Sequence, residues 1–191
     1  MVKHATIGVK NVHYAIATVA EDGTVTYGTP KKISNSQKID VSVSSSTEKY
    51  YADDDVVDIV SSFEKATVTL DNYGLDNATL VDLHGNAVDD NGVIIEKTTD
   101  EARYIALGWQ SLKRDGKYRF VWFVLGKKQY DNEEYETTKA KIEPKSTKST
   151  FEFVKRTDDI WRYKADEGDT NVPADIADKW FTKVYNGSFT A

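Results

Sequence analysis

YIALGWQSLKRDGKYRFVWFVLGK, from Tyr104 to Lys127, places two strand-like runs on either side of Asp115-Gly116. That turn pair, between alternating runs of this kind, predicts a β-hairpin. The second run has no polar face. Tyr118, Phe120, Trp122 and Val124 fall on one side, and Val121, Phe123 and Leu125 on the other, with Arg119 the only charge. A strand apolar on both sides needs cover on both. Fully burying one such side chain stabilises by roughly 1.5–3 kcal/mol. The cover is therefore a sandwich core, a partner subunit or both. The expectation is that a core takes one face, and that a helix from Leu75 to His84 or a second copy of the chain takes the other.

Around this hairpin the pattern is mostly strand. Tyr14–Val19 and Thr24–Tyr27 flank Asp22-Gly23, a second hairpin signal. Ile39, Val41 and Val43 alternate with Asp40, Ser42 and Ser44, and Ala66, Val68 and Leu70 alternate with Thr67 and Thr69. Both runs read as amphipathic strands. Between them lies SSSTEKYYADDDVVD, Ser44 to Asp58, which reads as a protruding loop or an extended hairpin. So long an excursion in a compact domain is uncommon unless it has a role. The helix at Leu75–His84 takes Asp71 or Asn72 as its cap and Gly85 just past its end. DDNG between Val88 and Val93 is a turn. Tyr135–Ile142 and Ser149–Val154 are further strands, with KSTKST as a solvated turn between them. Pro173 opens a short helix carrying Ile176 and Trp180, and Phe181–Phe189 closes as a last strand.

Composition narrows the function. The chain has 191 residues, enough for one domain with a substantial core, and we read 1–191 as a single domain. There is no cysteine, so disulfides, thiolate metal sites and cysteine nucleophiles are excluded; this fits an intracellular folding compartment. The start of the chain is not a signal peptide, and no stretch is apolar enough to span a membrane. A net charge of −6 argues against general nucleic-acid binding.

Motif chemistry is sparse. Three neighbouring carboxylates, Asp53, Asp54 and Asp55, point apart on an extended chain, so a solvated acidic loop is the better reading than a cation site. In DDNGVIIE, Asp89, Asn91 and Gly92 match part of a calcium loop, but Ala87 and Thr98 stand where the first and last ligands would be. His84 faces the C-terminal dipole of its helix rather than acting as a base. No G-x-S-x-G, H-E-x-x-H or P-loop occurs. No catalytic residue, metal ligand or cofactor is expected. The alternative is a carbohydrate-binding β-sandwich, in which aromatics such as Trp109 or Trp161 would stack on sugars.

Several segments, taken in order, are YYADDDVV, LHGNAVDDNGVIIE, the central hairpin, TTKAKIEPKST, DDIWRYKADEGD and KWFTKVYNG, with GVKNVHYAIATVAEDGTVTYGTPKKI at the start. Together they resemble the major tail protein, or tail-tube protein, of long-tailed bacteriophages with flexible, non-contractile tails. The resemblance implies a β-sandwich or barrel-like fold with one flanking helix and a long protruding loop, without a C-terminal immunoglobulin-like decoration domain. It implies homo-hexameric rings stacked into a tube in the virion, reached from the host cytoplasm. The implied partners are the chain itself and the tape-measure, tail-terminator and distal-tail proteins. Viral DNA would pass through the lumen without specific binding. On this reading Asp40, Ser42, Ser44, Thr67 and Thr69 are lumen-facing candidates. Tyr50, Tyr51, Asp53, Asp54 and Asp55 form the contact between subunits and rings, as aromatic anchors beside charge do at interfaces. Trp122, Phe123, Trp180 and Phe181 belong to core or interface.

Overall fold

The central hairpin forms, and it lies in the middle of the sheet. A computed structural model describes residues 5–52, 55–132, 135, 137 and 145–189. Here β8 (Ile105–Lys113) pairs antiparallel with β9 (Tyr118–Lys128), Leu107 opposite Phe123 and Trp109 opposite Val121. The turn closes through Gly116 N–H donating to the Lys113 carbonyl at 3.0 Å. Gly116 has φ +85°, which costs a residue without a Cβ little. Gly108 sits opposite Trp122, where a Cβ would lie 2.5 Å from the indole, so glycine lets the ring lie across β8.

Before this hairpin the chain runs β1 (Thr6–Val19), β2 (Val25–Tyr27), β3 (Lys31–Lys32), β4 (Ser36–Ala52), β5 (Asp55–Asn72), α1 (Asn77–His84), β6 (Ala87–Val88) and β7 (Ile94–Ile95). After it come β10 (Thr147–Phe153), β11 (Arg162–Asp166) and α2 (Ile176–Lys179). The main sheet has the order β2-β1-β8-β9-β10-β5-β4, with β3 on β1 and β11 on β9; β6 and β7 form a separate pair. Every ladder is antiparallel. β4 comes back alongside β1 without pairing to it, so the sheet curls on itself and stops short of a closed barrel. The fold is mainly β and sandwich-like.

Both faces of β9 are buried, and the chain itself supplies both covers. On the inner side Val121 and Phe123 join Leu107, Val68, Phe151 and Leu83 of α1 in one core. On the outer side Phe120 and Trp122 pack under Ile176, Trp180 and Val184 in a second core. Trp122 Nε1 donates to the Trp180 carbonyl at 3.1 Å. The expectation that α1 or a second copy covers the outer face is therefore corrected: α1 belongs to the inner core, and the C-terminal segment is the outer lid. That segment is also not a strand. Its apolar residues Phe181, Val184, Tyr185 and Phe189 do not alternate, so an irregular path turning at Gly187 (φ +90°) brings them onto one surface.

Two further expectations shift. The α1 cap is Asp76, whose carboxylate accepts from Thr79 N–H at 2.7 Å, while Asp71 and Asn72 stay in β5, paired with β10 and β4. Gly85 takes the left-handed position as expected, with φ +72°. KSTKST is only partly a turn, since Thr147–Thr150 pair with Asn72–Thr69 and Ser149 is buried. The strand expected at Tyr135–Ile142 lies largely outside the described residues.

Candidate interaction surfaces

The excursion from Ser44 to Asp58 is not a loop but the end of a long hairpin. β4 and β5 stay paired from Ser36↔Asn72 out to Ala52↔Asp55. Bulges break the register between Ser44 and Ser45 and again between Tyr50 and Tyr51. Inside Ser44 the ladder belongs to the body, because β10 pairs with β5 only over Ala66–Asn72. Outside it, neither strand pairs with a third among the described residues, and the arm projects by about eight residue pairs, or ~27 Å. Cross-strand hydrogen bonds fix its register: Ser46 to Ser62 at 2.7 Å, Thr47 to Ser61 at 3.2 Å, and Ser44 donating to Glu64 at 2.6 Å.

Polar pairing does not account for the rest of the arm. Tyr51 is 65% exposed, Val57 62% and Ile59 56%, and Tyr50, Val56 and Val60 are exposed beside them. Ile59 pairs with Lys49 and Val60 with Glu48, so apolar side chains project from both faces. Asp55 and Asp58 are exposed among them, and Asp53 and Asp54 lie outside the described residues. A two-stranded ribbon with no core of its own is marginal in water, and its open edges are templates for pairing. At the base of the arm Phe63 anchors it, stacking on Trp161 with centroids 4.6 Å apart.

The five lumen candidates fall on one face. Asp40 pairs with Thr69, Ser42 with Thr67, and Ser44 lies beside them opposite Lys65. All point away from the inner core, and none is buried. Two cations on this face are matched by carboxylates, Lys38 by Asp40 at 2.5 Å and Lys65 by Glu152 at 2.9 Å.

The remaining candidates resolve into core. Trp122, Phe123 and Trp180 are buried, the first two on opposite sides of β9. Phe181 is half-buried at the edge of the outer core, stacked on His13 at 4.5 Å. Trp109 is buried and stacked on Phe123, while Trp161 is half-buried under Arg162, whose guanidinium lies 4.3 Å from its ring. The DDNG segment is a tight turn in which Asp89 accepts from Asn91 and Val93 N–H. His84 is buried and stacks on Tyr130 at 4.7 Å. Burial, helped by Lys128, lowers its pKa, so it is neutral at pH 7 and carries no charge towards the helix dipole. Among the described residues no three His, Cys, Asp or Glu side chains converge as metal ligands.

Sequence reasoning missed two residues near the arm's base, Arg162 and Lys164. The signal was present: they alternate with Tyr163 and Ala165, so a strand here puts both cations on one side. No family model matches the chain, and no curated protein matches it.

Proposed function

We propose that the chain is a structural subunit that assembles with copies of itself as a phage tail-tube protein does, in stacked hexameric rings through which DNA leaves the virion. One observation carries this reading. The body buries β9 on both faces, while a register-fixed arm holds valine, isoleucine and tyrosine exposed, with both edges unpaired among the described residues. Such an arm gains stability only by being covered. The polar face of Asp40, Ser42, Ser44, Thr67 and Thr69 suits a lumen wall. Each uncompensated phosphate contact would add affinity for DNA, and the carboxylates beside Lys38 and Lys65 oppose this. The role is structural rather than catalytic, and tape-measure, terminator and distal-tail proteins would meet the tube along its bore and at its ends.

Electron microscopy of the concentrated protein should show rings or tubes. Replacing residues 45–64 with an Asn-Gly turn should leave a folded monomer, because the Val43↔Ala66 pair can still be closed from there. Tubes from this deletion, or a wild-type chain monomeric at every concentration, would defeat the reading.

A further inference from the structure

At the base of the arm, where β4 fails to close onto β1, a cleft of about 530 Å³ opens into the sheet. Its floor includes Trp109 and Phe123. Lys38, Arg119, Arg162 and Lys164 line it, and among the described residues no carboxylate does. Two of these cations are already matched. Lys38 pairs with Asp40, and Arg119 makes a two-pronged contact with Asp166 at 2.6 and 2.7 Å. Arg162 and Lys164 have no hydrogen bond or ion pair among the described residues. Arg162 only lies over the rings of Trp161 and Phe123, at 4.3 and 5.7 Å. It is half-buried next to a like charge, and burial and Arg119 both depress its pKa. A cation so placed is stabilised by an incoming anion.

The complementary surface is on the same molecule. The outer part of the arm carries Glu48, Asp55 and Asp58 against the single cation Lys49, together with exposed Tyr50 and Tyr51. It cannot reach its own cleft. Gln37, Lys38, Ile39 and Val41 at the root of β4 form the cleft rim, and the paired ladder holds the tip about 35 Å further along the strand. We propose that the acidic, tyrosine-bearing end of the arm docks in the cationic, aromatic-floored cleft of a second copy, its carboxylates meeting Arg162 and Lys164. This rests on the self-assembly reading and names the surface the arm engages. The contact joins two different patches, so it is head-to-tail. Every copy offers both a free arm and a free cleft, and association propagates until geometry closes it.

The test is a charge swap in the full-length chain. One variant reverses the arm (Asp55→Lys with Asp58→Lys) and another reverses the cleft (Arg162→Glu with Lys164→Glu). A second cleft variant, Lys38→Glu with Lys164→Glu, leaves the Arg162 stack intact should the first fail to fold; circular dichroism reports that directly. By sedimentation velocity, each variant alone should need about tenfold or more protein to assemble than wild type. An equimolar mixture of arm and cleft variants should recover assembly, because each then offers the other opposite charges. Wild-type assembly should weaken as salt rises. If folded cleft variants assemble like wild type while the arm deletion does not, this docking is wrong and the self-assembly reading stands. If wild type never associates, both fall.

Discussion

The central hairpin and the arm are both antiparallel ribbons with apolar residues on two faces, yet their fates differ. In β8–β9 each face meets another part of the chain: β10, β5 and α1 on one side, and the segment around Trp180 on the other. In the outer half of β4–β5 neither face is covered among the described residues, and Tyr51, Val57 and Ile59 are exposed. The apolar character of a strand thus fixes that it must be covered, and topology decides by what. β9 lies mid-sheet, with β8 on one side and β10 and β11 on the other, whereas the arm runs past the last strand that could cover it.

The largest effect should come from uncovering the buried hairpin. Trp122→Ala removes a fully buried indole together with its hydrogen bond to Trp180, and should cost about 3–5 kcal/mol in urea unfolding. A cost below about 1 kcal/mol would mean that the outer cover contributes little and that the contrast is overdrawn.

A smaller effect tests how β9 tolerates the charge of Arg119. Arg119 lies opposite Asp166 in the β9–β11 ladder, and Lys113, itself buried, lies 3.5 Å from the same carboxylate. The hydrogen bond to Arg119, opposed by burial, holds the Asp166 pKa below its ordinary value. An acid depressed in the folded state stabilises fully above its unfolded pKa, about 3.9, and that contribution is lost as pH falls through the lower folded value. Asp166→Asn should cost about 1.5–3 kcal/mol at pH 7. Chemical denaturation between pH 7 and pH 2 should show the gap to wild type narrowing below about pH 4. A gap that stays constant with pH would remove the ion pair from the account.

The smallest effect on folding should come from the arm. Val57→Ser with Ile59→Ser should change monomer stability by no more than about 0.5 kcal/mol. It should nonetheless raise the concentration needed for assembly, read by light scattering. A large loss of monomer stability would show that these side chains already have a cover within the chain.

Much of this contrast was legible in the residues. Asp115-Gly116 marks the central turn, the doubly apolar β9 demands two covers, and Gly85 ends α1 where the sequence places it. The identity of the outer cover was not legible, because Phe181, Val184, Tyr185 and Phe189 do not alternate as a strand would and stand at helical spacing in a segment that forms no helix; only the tertiary surface they meet sets their path. The cap moved from Asp71 or Asn72 to Asp76 because ladder pairing with β10 and β4 held the earlier residues in β5. The arm was legible only as either a protruding loop or an extended hairpin, and the hairpin is what forms; a ribbon wet on both faces has no burial pattern to decide between them. The cationic cleft escaped because its members come from five strands and carry meaning only once β4 stops short of β1.

The outer lid also sets a schedule. Trp122 and Trp180 are 58 positions apart in sequence. At a synthesis rate of about 5–20 residues per second, the ribosome needs roughly 3–12 s to make the second tryptophan after the first. For that interval the nascent central hairpin carries the apolar faces of Phe120 and Trp122 without their lid. The arm is encoded earlier, but its two-stranded ribbon is marginal alone and its base rests on the Phe63–Trp161 stack, so it is anchored only as the body is completed. Holding the tryptophan face until the lid arrives is a natural task for a chaperone.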